Sequence, residues 1–338
     1  MTAIPFVTLT DPRYGEAVQV APLIRRVVAH NPSKFTYLGT GTYIVGGSER
    51  GDAVAVIDPG PALDAHRDAL AAAIDGQIVA AILVTHCHAD HSPLAAWLRA
   101  ETGAPTLAHG PHPRPAADEI DDHDEIDDDD HDDDHDGDDG DDGGAPGEPA
   151  PAVVIEETTD YDFTPDVGVV DGEIAARGRG WTMRAVHTPG HTSNHTSFTL
   201  DEQGALFTGD HIMGWSTTVI GPPDGDMRAY FDSLRRVQAR RDRTFWPTHG
   251  APVTDTAPFV DAFIAHRLER EANVLAAVRS GVSSIKDIVR LLYADVRKDL
   301  HAPARRSVLA HLEKLVDDGA VTVGDGGRPR LRSVYQPS

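Results

Sequence analysis

The run VTHCHADH, Val84 to His91, most constrains what this chain can fold into, because it places three histidines and one aspartate within six consecutive positions. Burying such side chains without partners would cost roughly 1–3 kcal/mol for each. The run must therefore lie in water or hold a ligand. It follows the apolar segment AAILV and precedes SPLAAWLRAET, where Ser92 is the predicted N-cap and Pro93 the first helical residue. We predict a loop between a buried strand and a helix, where α/β proteins commonly place chemistry.

Four side chains of this run are of the types that bind zinc or a similar divalent ion. They are His86, His88, Asp90 and His91. Together with ligands from elsewhere in the chain, these four side chains are more than the four ligands that one tetrahedral site needs. One short segment can therefore serve two adjacent metal ions.

Further ligand candidates stand where other predicted strands end. His191 ends HTPGH, Asp210 ends FTGD, and His249 lies in WPTHG. Each is next to a glycine, where the backbone can turn sharply. Four separate strand-to-loop junctions thus carry a metal-ligand residue, a coincidence that is hard to produce from structure alone.

The composition is that of a folded chain with one strongly acidic segment. The 338 residues are 40% hydrophobic, which allows one large core or two domains. The net charge of −24 is mostly local, since Asp118–Asp142 contains sixteen Asp and two Glu, and the rest carries only −6. We interpret about 112–151 as a disordered insertion, because it has little to bury and repels itself.

The sequence favours a cytoplasmic location and no membrane contact. The N-terminus lacks the basic start and apolar core of a signal peptide, and no run of eighteen apolar residues occurs. The single cysteine, Cys87, excludes an internal disulfide. Because Cys87 lies between two ligand candidates, we predict that its side chain points away from the metals and packs in the core.

The pattern changes near Thr256. Before it, short β-rich segments alternate with helices; after it come three amphipathic helices and two strands around GDGGRP. We predict a catalytic domain over 1–255 and a small winged-helix-like domain over 256–338. Residues 255–338 contain thirteen basic and eleven acidic residues, an excess too slight to indicate nucleic-acid binding.

The order of these motifs resembles the metallo-β-lactamase superfamily, over roughly residues 1–255. The H-x-H-x-D-H run, TPGH, TGD and the final histidine match its pattern in sequence. The resemblance implies an α/β (α+β) fold, an αββα sandwich. It also implies that His86, His88 and His191 bind one metal, that Asp90, His91 and His249 bind the other, and that Asp210 bridges both.

Within that superfamily, three segments resemble the lactamase-like endoribonuclease branch, which carries a C-terminal winged-helix-like domain. They are the stretch HIMGWSTTVIGPPDGDMRAYFDSL after Asp210, HGAPV at His249 and AHRLERE at Ala265. This branch resemblance supports the architecture more firmly than it supports RNA cleavage, so RNA stays an alternative partner.

The predicted function is that of a zinc-dependent hydrolase with two Zn²⁺ per chain, Fe or Mn being alternatives. A metal-bridging hydroxide would attack an ester, thioester or phosphodiester, and the catalytic residue Asp90 would orient that water. A small ester or thioester is the favoured substrate, and a homodimer is compatible with the sequence.

Two alternatives stay open. THCHADH also resembles persulfide dioxygenases, in which one iron would bind His86, His191 and Asp210. The other alternative is a non-enzymatic metal-binding or regulatory protein.

Overall fold

The computed structural model describes residues 3–114 and 158–338. The predicted Asp-rich insertion therefore lies almost entirely outside the described residues. Two β-sheets face each other, and helices cover the outer side of each.

The first sheet has seven strands in the order of the chain. Strands β1 to β4 pair antiparallel, and β4 to β7 pair parallel. The strands are β1 (Val18–Ala21), β2 (Ile24–Val28), β3 (Gly41–Gly46), β4 (Ala53–Ile57), β5 (Ile78–Leu83), β6 (Thr106–Ala108) and β7 (Val167–Gly168).

The second sheet has five strands in the order β12-β11-β10-β9-β8. All neighbours pair antiparallel except β11 and β12, which pair parallel. The strands are β8 (Ile174–Gly178), β9 (Trp181–His187), β10 (Thr196–Leu200), β11 (Ala205–Gly209) and β12 (Thr244–Pro247).

Large side chains fill the space between the two sheets. Tyr43, Trp181, Phe198 and Phe207 are each at most 1% exposed there. On the outer side of the first sheet pack helices α1 (Asp64–Ala73) and α2 (Leu94–Thr102), and on the outer side of the second pack α3 (Met227–Arg240) and α4 (Thr256–Arg279). The predicted αββα sandwich is confirmed.

A small C-terminal unit follows. Helices α5 (Ile285–Leu292) and α6 (His301–Asp317) precede the antiparallel pair β13 (Val321–Val323) and β14 (Tyr335–Pro337). Their apolar faces form one core with the last turns of α4. Three helices and a hairpin are the predicted winged-helix-like arrangement.

The α2 N-terminus differs from the prediction. The helix begins at Leu94 with Pro93 before it, and no side chain caps it. The Ser92 hydroxyl instead donates to Asp160 Oδ2 at 2.6 Å. The local Ser-Pro pattern favoured a cap, but a partner distant in sequence takes the hydroxyl.

Helix α4 belongs to both cores. Phe259, Val260 and Phe263 pack against α3 and the second sheet, whereas Val274 and Val278 pack against α5 and α6. By packing, the two units therefore divide inside α4. The boundary at 255/256 stays a prediction.

Membrane insertion finds no support in the helices. Over residues 3–114 and 158–338, none combines the length and apolarity that crossing a bilayer requires.

Because α4 is anchored by its aromatic side chains, we expect Phe263→Ala to lower the free energy of unfolding by about 3–5 kcal/mol. Phe263 is fully buried, with the Phe259 ring 5.1 Å away, centroid to centroid. The measurement is urea denaturation followed by circular dichroism.

Leu268→Ala is the matched control, since Leu268 lies on the same helix but is 46% exposed. It should change stability by less than about 0.5 kcal/mol. Equal losses in both variants would contradict the assignment of Phe263 as an anchor.

Candidate metal centre

Four of the predicted ligands lie on the loop between β5 and α2, as expected. The loop is held in place by backbone hydrogen bonds: His91 N donates to His88 O at 2.9 Å, and Gly60 N donates to His91 O at 3.0 Å. Ala89 N donates to Thr158 O at 2.9 Å. The ligand candidates thus sit on a fixed loop at the carboxyl end of a buried strand.

The other three candidates follow strands of the second sheet. His191 comes four residues after β9, Asp210 directly after β11, and His249 two residues after β12. Each strand ends at the same edge of the sandwich as β5, so all seven side chains converge.

Two glycines permit this convergence. Gly190 has φ +133°, and a Cβ there would lie 2.4 Å from Tyr230 Cα. Gly209 has φ +50°, and a Cβ there would lie 2.7 Å from His195 Nε2. A side chain at Gly190 would collide with the backbone of Tyr230, and one at Gly209 would collide with the buried side chains of His195 and Thr85.

The seven side chains form three overlapping groups, in each of which the potential ligand atoms lie within 4.8 Å of one another. The groups are His86 with His88 and His191, His86 with His91 and Asp210, and Asp90 with His91 and His249.

Atom-to-atom distances within the groups are short. His88 Nδ1 lies 3.1 Å from His86 Nε2 and 3.2 Å from His191 Nε2. Asp210 places Oδ1 3.4 Å from His249 Nε2 and Oδ2 3.6 Å from His91 Nε2. Asp210 therefore stands between two sets of imidazoles.

Two buried atoms of this cluster make no hydrogen bond and have ion-pair neighbours instead: His91 Nε2 lies 3.3 Å from Asp90 Oδ2, and Asp210 Oδ1 lies 3.4 Å from His249 Nε2. A buried polar atom without a hydrogen bond costs about 1–3 kcal/mol. Because both atoms face the other candidate ligands, a divalent cation would satisfy them. The donor set of imidazoles and carboxylates fits zinc, iron or manganese.

The histidines of the cluster fall into two electrostatic classes. Burial lowers the pKa of His86, His88 and His191 below the usual histidine value, so their imidazoles are neutral and able to bind metal. Burial opposes protonation of His249 too, but the carboxylates of Asp210 and Asp90 outweigh it and raise its pKa to about 10. The same balance raises the pKa of His91, where Asp90 is the strongest opposing charge. A metal cation would replace those protons as the partner of the carboxylates.

Residues around the cluster orient the ring nitrogens that point away from it. His191 Nδ1 lies 2.7 Å from Val219 O, and His249 Nδ1 lies 3.3 Å from Gly39 O. Thr40 Oγ1 donates to Asp90 Oδ2 at 2.8 Å. Such contacts fix which nitrogen of each histidine faces the metal position.

Asp58, the main supporting residue, was not among the predicted site residues. This buried carboxylate follows β4; its Oδ2 lies 2.9 Å from His91 Nδ1, and its two oxygens accept hydrogen bonds from Thr85 N and Oγ1, both at 2.8 Å. The available signal was the segment VIDPG, in which an aspartate ends a buried strand at the same level as the histidine run.

Three neighbouring residues have structural roles. His195 is fully buried, with Nδ1 2.9 Å from Thr188 Oγ1 and Nε2 accepting from Asp210 N at 3.2 Å, so it supports the backbone of Asp210. His211 is buried against the Tyr230 ring. Cys87 lies in the core as predicted; its Sγ accepts from Asn194 Nδ2 at 3.1 Å, and burial raises its pKa to about 11.

A pocket opens beside the cluster at His88, His191 and Asp210. The rest of its lining comes from several loops and from α6, and comprises Lys34, Phe35, Met213, Trp215, Ser216, Val219, Gly221 and Arg306. It shares five of these residues with a larger cleft that lies between the sandwich, the N-terminal segment and the C-terminal unit.

Comparison with curated proteins finds fungal relatives. The Aspergillus novofumigatus protein named atrochrysone carboxyl ACP thioesterase nsrC is 28% identical over 320 residues, covering 90% of this chain and 81% of that protein. An atrochrysone carboxyl ACP thioesterase of Aspergillus chevalieri is 29% identical over 327 residues, covering 92% and 86%.

Solved structures share the whole architecture. A beta-lactamase domain protein from Burkholderia ambifaria superposes with a TM-score of 0.71 at 20% identity, covering 97% of this chain and 95% of that one. This likeness concerns the fold.

Two family models match the sequence. The beta-lactamase associated winged helix domain matches residues 284–328, and the metallo-beta-lactamase superfamily matches residues 38–249. The predicted fold, winged-helix-like domain and metallo-hydrolase class are confirmed. The chain belongs to the metallo-beta-lactamase superfamily.

Proposed function

We propose that this chain is a metal-dependent hydrolase of thioesters, with a dinuclear site built from the seven clustered side chains. The observation that carries the proposal is the convergence of three overlapping groups of potential ligand atoms in one cluster, the atoms of each group lying within 4.8 Å of one another.

The proximities favour one division of the ligands. His86, His88 and His191 would hold one ion, and Asp90, His91 and His249 the other. Asp210 would contact both ions, because its two carboxylate oxygens face different members of the cluster. Zinc suits this mixture of imidazole and carboxylate, and iron or manganese is also compatible.

A bound divalent ion polarises a carbonyl oxygen and lowers the pKa of water to about 7. The role of Asp90 is to accept a hydrogen bond from the attacking water. The Asp90 carboxylate is held in place by the hydrogen bond that Thr40 Oγ1 donates to Oδ2, and the same oxygen lies 3.2 Å from His249 Nε2.

The leaving group is the reason for preferring thioesters over esters. Among the described residues that line the pocket, every histidine and every carboxyl group is a proposed metal ligand. The nearby His195 is occupied at both ring nitrogens, by Thr188 Oγ1 and by Asp210 N. A thiolate leaves with little need of a proton, since thiols have a pKa near 8.5, whereas an alkoxide needs one.

The adjoining cleft can accept a substantial substrate. Its volume of about 610 Å³ is in the range of small-molecule sites. Apolar side chains such as Phe6, Phe35, Trp215 and Tyr293 contribute to its lining. An acyl chain or a pantetheine-like arm would lie there, and the thioesterase names of the fungal relatives support this substrate class.

Metal content is the first test. We expect about two divalent ions per chain by inductively coupled plasma mass spectrometry, and Asp210→Ala should lose at least one of them because it removes the shared ligand. Asp232→Ala is the control, since Asp232 is 69% exposed on α3 and pairs only locally with Arg235. A single iron that survives the Asp210 substitution would contradict the dinuclear site.

The outer support is tested by Asp58→Asn. Replacing the carboxylate weakens the orientation of His91, so we expect metal affinity to fall by about 10–100-fold in competition with a chelator. Asp68→Asn, a change of the same kind at an exposed position on α1, should leave affinity unchanged. Equal affinity in the Asp58 variant would show that His91 does not depend on this contact.

Activity is tested on a matched panel of a thioester, its oxygen ester and a short RNA, with oxygen uptake recorded for a persulfide. We expect hydrolysis of the thioester, release of free thiol, and loss of about 10³-fold or more in kcat/KM for Asp210→Ala. Cleavage of RNA alone, or oxygen consumption with a persulfide, would overturn the thioesterase proposal in favour of the corresponding alternative.

A further inference from the structure

Two positively charged side chains line the metal pocket in addition to the proposed ligands. Lys34 comes from the segment between β2 and β3, and Arg306 comes from α6 in the C-terminal unit. They approach the pocket from separate parts of the fold. Neither belongs to the metal-ligand groups.

Arg306 lies at the wall between the metal pocket and a second pocket, whose lining includes Asp226 and Glu313. Arg306 is half-buried, and a Cβ on Gly221 would lie only 3.4 Å from Arg306 Cδ, so its aliphatic stem packs on that glycine. The apolar side chains of Phe35, Met213, Trp215 and Val219 line the same pocket. A cation in such partly desolvated surroundings attracts an anion more strongly than one in open water.

The charge of this pocket contrasts with that of the chain. Outside the Asp-rich segment the chain still carries −6, yet the one acidic residue in the described pocket lining is Asp210, a proposed metal ligand. Apart from the proposed ligands, the lining that a substrate would contact therefore consists mainly of Lys34, Arg306 and apolar side chains. An anionic group beside the reacting carbonyl would be bound well.

We propose that Arg306 and Lys34 form an anion subsite beside the metal centre, which selects thioesters that carry a carboxylate or a phosphate. This inference rests on the proposed thioesterase function. The planar guanidinium of Arg306 matches the two oxygens of either group, and Lys34 adds a second charge. Arg306 is thus a specificity-determining residue supplied by the winged-helix-like unit.

The neighbouring Arg305 is not part of this subsite. Arg305 and Arg306 are adjacent in the sequence, but of the two the lining of the metal pocket includes only Arg306. Successive residues of a helix point about 100° apart, which explains the difference.

The anion can come from either arm of a thioester, and two substrate pairs distinguish these sources. Adipoyl and hexanoyl thioesters of N-acetylcysteamine differ in a carboxylate on the acyl arm. Hexanoyl thioesters of 4′-phosphopantetheine and pantetheine differ in a phosphate on the thiol arm. The charged member of at least one pair should be preferred by the native enzyme.

Arg306→Gln should lower kcat/KM for that preferred charged substrate by about 10–100-fold and leave its neutral partner unchanged. Arg306→Lys should retain part of the preference, and Lys34→Gln should reduce it. Arg290→Gln is the control, because Arg290 lies on α5 with its side chain 56% exposed. Equal losses on all four substrates, or no charge preference in the native enzyme, would overturn the subsite.

Binding gives a second readout that does not need turnover. Non-hydrolysable thioether analogues of the same pairs are titrated by calorimetry into the metal-loaded native chain and Arg306→Gln. Tighter binding of a charged analogue that depends on Arg306, without hydrolysis of any thioester, would keep the subsite and reject the thioesterase function. Hydrolysis of a thioester, together with analogue binding that does not change in Arg306→Gln, would keep the thioesterase function and reject the subsite.

Discussion

Asp58 accepts hydrogen bonds that tie together the ends of three strands. It lies at the end of β4, contacts Thr85 and His91 beyond β5, and accepts from Thr248 Oγ1 beyond β12 at 3.2 Å. Because β12 belongs to the other sheet, this one buried carboxylate holds the two layers together at the edge where the metal ligands stand. Burying it is tolerable because each contact is a hydrogen bond to a charged acceptor, worth about 1.5–3 kcal/mol.

The cross-sheet connection is reinforced nearby. Tyr43 Oη donates to Pro247 O at 2.7 Å, and Gly41 N donates to Thr248 O at 2.9 Å. The strand ends cannot shift independently, so the ligand atoms keep their spacing. Precise placement matters here, because a small displacement of one candidate ligand changes the geometry that the cluster offers to a metal ion.

The candidate ligands could be predicted because their residue types and order are local properties of the sequence. The residues that hold these ligands in place could not be predicted in the same way. Asp58 looks like any aspartate before a turn, and Thr40 like any threonine beside glycine; their value comes from partners 33 and 50 residues away. Arg306 likewise required the packing of α6, since the sequence alone did not distinguish it from Arg305.

The fold was predicted best where apolar periodicity is strong. The strands that end before the candidate ligands, β5, β9, β11 and β12, were expected, as were the three C-terminal helices. Strand β2 was not, because IRRVV carries two arginines, and only in the fold does Arg25 reach Ala73 O and Gln77 Oε1. Strand β7, with two residues, is too short for any periodicity to show.

Helix α4 has one more consequence. Its first half completes the core of the sandwich and its second half that of the C-terminal unit, while Arg267 on the same helix donates to Thr218 O in the loop beside the metal pocket. Because α4 contributes to both cores, recombination could not exchange one unit without damaging the core of the other. A chain without the C-terminal unit would also lack Arg306 and with it part of the wall around the metal pocket.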